Sequence, residues 1–175
     1  KTAMGARLLR SFLEQPLIDK AEITKRQEAV QTFVNSAIER EEIREYLNPV
    51  YDLERIISRI ANKTANPRDL IAFKNSLSML PHIKRILDSF ENPLLNKINQ
   101  DMDALLDITE LIERAVLEEP PTQIKEGGII KEGYHEEVDK LRHAKTDGKG
   151  WLADLEAKER ERTGENRDGL DTLQT

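Results

Sequence analysis

The sequence predicts an all-α protein, an irregular multi-helix bundle with one long protruding helix and a small β-hairpin-like turn near residues 122–133. Apolar residues recur at three- and four-residue spacing along most of the chain, which is the pattern of amphipathic helices. Asn-Pro and Pro-Pro pairs divide this pattern into segments of uneven length, as helix starts and stops do. No fixed period repeats, so the pattern predicts a bundle rather than a solenoid.

Composition limits the possible classes of function. The chain has 175 residues, 38% of them hydrophobic and 34% charged, which is enough for one domain with a core. The net charge of -6 comes from interleaved acidic and basic residues, and this argues against autonomous, tight DNA binding. Cysteine is absent, which excludes disulfides and cysteine zinc sites. No apolar run reaches the roughly 18 residues that a membrane-spanning helix needs.

The first three predicted helices follow one another closely. The apolar residues of the first helix recur at i, i+4, and Pro16 ends it. Asp19 is the predicted N-cap of the second helix, with Glu22 as its capping-box partner. The predicted buried face of the second helix consists of Ile23, Val30, Phe33 and Val34. A charged third helix starts at Ser36 or Ala37, and its predicted inward residues are Ile43, Tyr46 and Leu47.

Proline marks the helices of the middle region. A short helix has its apolar residues at Leu53, Ile56, Ile57 and Ile60. Asn66, Pro67 and Asp69 then supply an N-cap, a proline at the first helical position and a favourable first-turn charge. Leu70, Phe73, Leu77 and Leu80 follow at helical spacing. Pro81 predicts either a kink or a break at that point.

The next segment is the longest run of helical spacing before the glycine-rich turn. Asn92-Pro93 repeats the start signal, and apolar residues continue at helical spacing from Leu94 to Val116. Glu118 to Pro121 ends this run. Residues 122–131 are the only predicted β region, in which Ile124, Ile129 and Ile130 would form a small ribbon.

A long helix is predicted from Tyr134 to about Arg162. Its seam follows a heptad-like pattern and consists of Val138, Leu141, Lys145, Gly148, Leu152 and Leu155. The centre, Lys145 to Gly150, is poor helix sequence, because each glycine costs about 1 kcal/mol relative to alanine. Pattern alone therefore predicts a break at that centre.

Three motifs that could carry chemistry have simpler structural explanations. Asp147-Gly148-Lys149-Gly150 lacks the first glycine, the hydroxyl residue after lysine and the preceding strand of a phosphate loop. Asp101-Met102-Asp103 lacks the later glycine and glutamate of a calcium loop, and helix capping by Asp103 explains it better. No two of His82, His135 and His143 stand at helical spacing for shared metal ligation. We therefore predict no catalytic, cofactor-binding or metal-binding residue, and the sequence singles out no residue that contacts nucleic acid.

The stretch from Gly127 to Leu141 is the most informative part of the chain. Two adjacent glycines, two isoleucines, a third glycine and an aromatic residue lead directly into a charged helical pattern. The glycines predict positive φ angles or close packing. Trp151, near the seam, predicts a contact with the core or with a partner helix rather than base stacking. The predicted structural signature therefore consists of Gly127, Gly128, Gly133, Tyr134 and Trp151.

Motifs along most of the chain resemble those of the MutS family of bacterial mismatch-repair proteins. The resemblance rests on the Gly127–Leu141 stretch and on the opening Thr2-Ala-Met-Gly-Ala-Arg-Leu-Leu9. Further landmarks follow in matching order up to Gly164, such as Asn66-Pro-Arg-Asp-Leu70 and Trp151-Leu-Ala-Asp-Leu155. Phe12 stands where the family often has tryptophan, and residues 165–175 resemble neither the clamp nor the returning lever of the family.

The resemblance implies a division of the chain into three parts. Residues 1–133 would be the first part of a helical core domain, and residues 134–164 an outgoing lever helix that continues through Gly148 and Gly150. Residues 165–175 would be a disordered tail outside the family pattern. The seam of the lever, without its usual packing partner, would fold back, fray or pair with a second copy.

The implied function is that of a part of a larger machine. This chain would be a non-catalytic lever that couples the state of an ATPase domain to a DNA clamp, with no cofactor of its own. Other domains of the full protein would bind mismatched DNA, ATP and magnesium. The full protein would be a homodimer and would act with a MutL-like partner. It would lie in the bacterial cytoplasm and would not bind a membrane. One alternative to this lever function is an independent helical interaction scaffold, which would have an ordered tail that binds a partner. Another is a small helical enzyme with convergent Arg and Glu side chains, a constellation that the sequence does not show.

Overall fold

The structure is a computed structural model in which residues 1–163 are described, except for the side chains of Lys149, Trp151, Asp154 and residues 161–163. The predicted disorder of residues 165–175 falls outside the described residues. Within residues 1–163 the helices are α1 Ala3–Glu14, α2 Lys20–Asn35, α3 Ala37–Leu47, α4 Leu53–Ala61, α5 Pro67–Leu77, α6 Leu80–Asp88, α7 Pro93–Asp101, α8 Leu106–Ala115, a short 3-10 helix Ile124–Glu126, and α9 Glu136–Thr163. The predicted all-α fold class is confirmed.

The chain divides into two compact units. The first covers residues 1–131 and contains α1 to α8, and the second begins at Glu132 and contains α9. The first unit has two hydrophobic clusters, which are built by different helices.

The first cluster lies among α2, α3, α6 and α7. α3 packs against α2 and α6, and α7 packs against the same two helices. Phe33 meets Phe90 edge-on, with 5.2 Å between the ring centroids, an arrangement that aromatic pairs favour. The buried residues of this cluster are Ala29, Ile43, Ile83, Ile86, Leu87, Phe90 and Leu95.

The second cluster lies among α4, α5 and α8. Its buried residues are Ile56, Phe73, Leu77, Ile112, Ala115 and Val116. Beside it, the fully buried Ser76 hydroxyl donates to the Ala72 carbonyl at 2.7 Å and accepts from the Tyr51 amide at 2.9 Å. A hydrogen bond therefore joins the segment before α4 to the last turn of α5, in addition to the apolar contacts.

The predicted helix caps at Asp19, Asn66 and Asn92 are present. Asp19 accepts hydrogen bonds from the amides of Ala21 and Glu22, and Asn92 caps α7 in the same way. Asn66 and Asp69 form a complete capping box at the start of α5. The Glu22 carboxylate does not bond back to the Asp19 amide and instead accepts from Lys25 Nζ at 2.6 Å. Each such cap contributes about 1 kcal/mol.

Pro81 marks a break between two helices rather than a kink. α5 ends at Leu77, and Pro81 lies in the first turn of α6, where its missing N–H leaves no helical bond unmade. Met79 packs on the first cluster and Leu80 on the second. The break therefore lies where the chain passes from one core to the other.

The predicted buried face of α2 is wrong in part. Ala29 is buried and Phe33 packs on the first cluster, but Val30 and Val34 are 62% and 57% exposed. α2 packs against α3 and α7, and these neighbours lie on the side of Ala29 and Phe33. Each valine stands one residue further along the helix, which turns its side chain about 100° away from that side.

The helical run from Leu94 to Val116 contains an interruption. α7 ends at Asp101, and Leu105 adopts the left-handed conformation at φ 50° before α8 begins. Asp103 Oδ1 accepts from the Leu105 amide at 2.9 Å. Leu105 is itself the N-cap residue of α8 and no side chain caps this helix, so the predicted helix capping by Asp103 is wrong and Asp103 instead stabilises the turn before α8. Lys84 Nζ donates to the carbonyls of Asn99 and Met102 at the end of α7. The apolar spacing alone did not show this interruption because it continues on both sides of it.

The β-hairpin-like turn predicted near residues 122–133 is wrong. Ile124 lies in the 3-10 helix, and Ile130 forms an isolated antiparallel bridge with Val116. The residue that pairs with this segment therefore comes from the end of α8. A ribbon within the segment would need a second strand there, and residues 124–126 are helical instead.

α1 is attached to the first unit through polar contacts. None of its residues is buried. Arg7 donates to both carboxylate oxygens of Asp52, at 2.7 and 2.8 Å, and also to Glu54. The Arg26 guanidinium stands 3.8 Å from the centroid of the Phe12 ring, a cation–π contact.

Candidate functional site

The first two signature glycines follow the 3-10 helix in the first unit. Gly127 has φ 73° and Gly128 has φ 66°, and a Cβ atom at either position would meet nothing within 4 Å. L-residues rarely adopt this conformation, whereas glycine does so without a steric penalty. The predicted positive φ is therefore confirmed and the alternative, close packing, is wrong.

The segment after these glycines is fixed to the end of α8. The Leu117 amide donates to the Ile129 carbonyl at 2.9 Å, and the Lys131 amide donates to the Ala115 carbonyl at 2.8 Å. Lys131 Nζ donates in addition to the Glu113 carbonyl at 2.7 Å. Lys131 thus donates to two of the last carbonyls of α8, those of Glu113 and Ala115, which have no partner within a helix.

The other signature residues belong to the second unit. Gly133 has φ 81°, a Cβ atom there would also meet nothing within 4 Å, and the Gly133 amide donates to Asp139 Oδ2 at 2.8 Å. Tyr134 is 41% exposed, and the side chain of Trp151 lies outside the described residues. Arg142 Nη1 donates to Asp139 Oδ1 at 2.8 Å. Sequence reasoning missed Asp139 and Arg142, although their i, i+3 spacing on a helix was a usable signal.

Two ion pairs organise the surface around α4 and α5. Arg59 donates to both oxygens of Asp69, at 3.0 and 2.6 Å. Burial raises the pKa of Asp69, but hydrogen bonds from Arg59 and from the Asn66 amide outweigh burial and hold it below its usual value. The hydrogen bonds from Arg7 lower the pKa of Asp52 to about 2. Both carboxylates also cap helices, so each joins a helix start to another helix.

A groove of about 440 Å³ lies beside these pairs. Its lining includes Tyr51, Arg55, Arg59, Asn66 and Arg68. Each guanidinium already contacts a protein acceptor: Arg59 bonds Asp69, Arg55 stands 3.4 Å from Asp52, and Arg68 Nε donates to the Pro120 carbonyl. The arrangement is that of structural ion pairs, in which each of these guanidinium groups lies against a protein acceptor.

The histidines take part in packing and surface contacts. His82 stacks on Tyr46 with 4.7 Å between ring centroids, and His143 Nε2 lies 3.8 Å from Glu132. In the part of the chain that the structure describes, no three His, Cys, Asp or Glu residues come together as a metal site would require. Asp147 to Gly150 lies inside α9, and not in the loop that phosphate binding by such a motif needs.

The second unit is dominated by α9, which runs without interruption from Glu136 to Thr163. The helix therefore continues through Gly148 and Gly150, as the resemblance implied and against the local pattern. Three leucines of its predicted seam, Leu141, Leu152 and Leu155, are exposed. Among the residues the structure describes, no helix is both long and apolar enough to cross a membrane.

Comparison with known protein families gives a match over nearly the whole chain. The family model for MutS domain III matches residues 1–170. The chain belongs to the MutS family. The family model thus includes both α1 and the whole of α9.

Curated MutS relatives give the same result. The chain is 63% identical over 164 residues to the DNA mismatch repair protein MutS of Lachnoclostridium phytofermentans, which covers 94% of the chain and 18% of the relative. It is 53% identical to the protein of that name from Caldanaerobacter subterraneus and 48% identical to the one from Ruminiclostridium cellulolyticum, each over 93% of the chain and 19% of the relative. The chain therefore spans about a fifth of the length of these MutS proteins.

Proposed function

We propose that this chain is a non-catalytic lever within a mismatch-repair protein, which couples the nucleotide state of an ATPase domain to a DNA clamp. The observation that supports it most directly is α9, a single helix of 28 residues. At 1.5 Å per residue it extends about 42 Å. A continuous helix of this length can carry a rotation or displacement between distant sites.

The rest of the function follows from the family. The relatives are named DNA mismatch repair proteins, and we propose the same process for the full protein that contains this chain. Mismatched DNA, ATP and magnesium would be bound by other domains, and the full protein would be a cytoplasmic homodimer that acts with a MutL-like partner. The ion pairs near α4 and α5 would then stabilise the core that supports the lever.

Exposed apolar residues support a role inside a larger assembly. Leu9 and Leu13 on α1 are exposed, as are Val30 and Val34 on α2, and Ile18 between these helices is 97% exposed. Contiguous apolar patches often mark a site that another surface covers, and we propose such coverage for these residues. The independent-scaffold alternative would also need covering partners, but a match to one domain of relatives about five times longer favours coverage within the same polypeptide.

The first test is a titration of the 175-residue chain against matched and mismatched DNA duplexes at low and at moderate salt. We expect either no binding or weak binding that ignores the mismatch and disappears with salt, since such binding would be electrostatic. Mismatch-selective binding that survives moderate salt would place recognition within these helices and would contradict the lever.

The second test breaks the lever in the full-length protein. Ala144→Pro introduces proline into the interior of α9, which costs about 3 kcal/mol, while Ala144→Ser keeps the helix. We expect the proline variant to lose most of the difference in DNA affinity between the ATP-bound and ATP-free states, and the serine variant to retain it. Thermal unfolding of both variants checks that the remainder of the protein is folded. An unchanged affinity difference in the folded proline variant would refute the proposal.

A further inference from the structure

The turn at Glu132–Tyr134 is tied to the first turns of α9 by side chains. The Gly133 amide donates to Asp139 Oδ2 at 2.8 Å across six residues. Gly133 has φ 81°, in the left-handed region that favours glycine. Asp139 lies in the first turn of α9, so the bond joins the turn to the helix.

Arg142 binds the other oxygen of the same Asp139 carboxylate. Its Nη1 donates to Asp139 Oδ1 at 2.8 Å, and the side chains of Asp139 and Arg142 are only 17% and 33% exposed. The Asp139 amide donates to the His135 carbonyl at 3.1 Å. We call these three bonds, which connect Gly133, His135, Asp139 and Arg142, the Asp139 bracket.

The bracket supplies the short side-chain contact between this turn and α9, beside the longer and exposed approach of His143 Nε2 to Glu132 at 3.8 Å. Residues 132–137 are all exposed, so apolar burial does not hold them in one conformation. Charge-assisted hydrogen bonds are roughly twice as strong as neutral ones, and Asp139 makes two bonds through one carboxylate. Glu136 and Glu137 also stand in the first turn of α9, so the favourable interaction with the helix dipole does not depend on Asp139.

The geometry points to Asp139 as a positioning residue: it locks the glycine turn to the base of the lever so that the two move as one body. This inference rests on the lever function proposed above and adds the residue that would transmit force into α9. Without the bracket, the turn becomes a hinge, because Gly133 has a wide range of accessible φ and ψ angles. The helix would then still form, but displacements of the turn would no longer be passed on.

Amide exchange of Gly133, followed by NMR in the 175-residue chain, tests the bracket itself. We expect Asp139→Ala to speed this exchange roughly tenfold or more. Asp139→Asn, which keeps an acceptor oxygen but loses the charge that Arg142 binds, is expected to give an intermediate rate. Glu137→Ala removes a first-turn charge that the bracket does not use and should leave the rate unchanged. An equal exchange rate in the wild-type chain and in Asp139→Ala would overturn the inference.

The ATP-dependent change in DNA affinity of the full-length protein tests whether the Asp139 bracket takes part in the coupling. We expect Asp139→Ala to reduce this change about threefold or more, while Glu137→Ala keeps it and Ala144→Pro abolishes most of it. If Ala144→Pro reduces the change and Asp139→Ala does not, the bracket is not part of the coupling and the inference fails alone. If Ala144→Pro also leaves it intact, the proposed lever function fails, and the inference fails with it.

Discussion

The two units of the chain are both helical but are stabilised differently. In the first, helices α2 to α8 surround two clusters of buried apolar residues. In the second, none of the described side chains of α9 is buried, and the helix is supported by local pairs such as Glu136–Lys140 and Glu156–Arg160. Exposed pairs of this kind contribute only about 0.2–0.5 kcal/mol each. Apolar residues at helical spacing are therefore buried in a helical bundle in the first unit, whereas the leucines along the seam of α9 are exposed.

The largest expected difference comes from one substitution made in both units. Leu77→Ala removes a side chain that is 2% exposed in the second cluster, and we expect a loss of about 2–5 kcal/mol in the free energy of unfolding. Leu141→Ala in α9, where the side chain is 72% exposed, should change it by no more than about 0.5 kcal/mol. Urea unfolding followed by circular dichroism measures both. Similar losses would show that the seam of α9 is buried in solution and would break the comparison.

A second pair of substitutions compares hydroxyl groups that bond back to a helix carbonyl. Ser76→Ala leaves the partly buried Tyr51 amide without its acceptor, and we expect a cost of about 1–3 kcal/mol. Thr146 Oγ1 donates to the Arg142 carbonyl at 3.0 Å on the exposed surface of α9, and Thr146→Ala should be close to neutral. Unfolding by urea gives the two values. A near-neutral Ser76→Ala would mean that the hydrogen bond between α5 and the segment before α4 contributes little.

Glycine substitutions sharpen the comparison within the second unit. A Cβ atom at Gly148 or Gly150 would meet nothing within 4 Å, so alanine at each position should stabilise α9 by about 1 kcal/mol. Gly133→Ala should instead destabilise its turn, because φ is 81° there. Hydrogen exchange should therefore slow in residues 145–155 when both Gly148 and Gly150 are replaced by alanine. It should accelerate around residue 133 in the Gly133→Ala variant. Faster exchange in the double variant would contradict a continuous α9.

The smallest expected effect concerns pH and is confined to the first unit. The hydrogen bonds from Arg7 depress the pKa of Asp52 from 3.8 to about 2. A depressed carboxylate pKa contributes stability that is complete above the unfolded pKa and is lost as the pH falls through the folded value. The first unit should therefore lose the Arg7–Asp52 contribution between about pH 4 and pH 2, and Asp52→Asn should show a weaker pH dependence there. An identical pH profile of the urea midpoint in both proteins would contradict the assignment.

The sequence predicted the residues of the candidate site that depend on local backbone conformation, but not those that depend on bonds to more distant residues. Gly127, Gly128 and Gly133 were recognisable because left-handed conformations select glycine locally. Asp139 was not singled out, because its role depends on a bond to the amide of Gly133, six residues earlier. Asp69 was likewise visible only as a favourable first-turn charge, whereas its ion pair with Arg59 joins two different helices.

The sequence by itself determined the helix class, the capped starts at Asp19, Asn66 and Asn92, and the glycine turn before α9. These features depend on contacts between residues that are close in the chain, where side-chain chemistry acts directly on the neighbouring backbone. Only the tertiary structure decided that Ala29 rather than Val30 faces the core, that Leu105 interrupts a helical run, and that Ile130 pairs with Val116. Those outcomes depend on which distant segment of the chain packs against each helix. The spacing of apolar residues does not identify that segment.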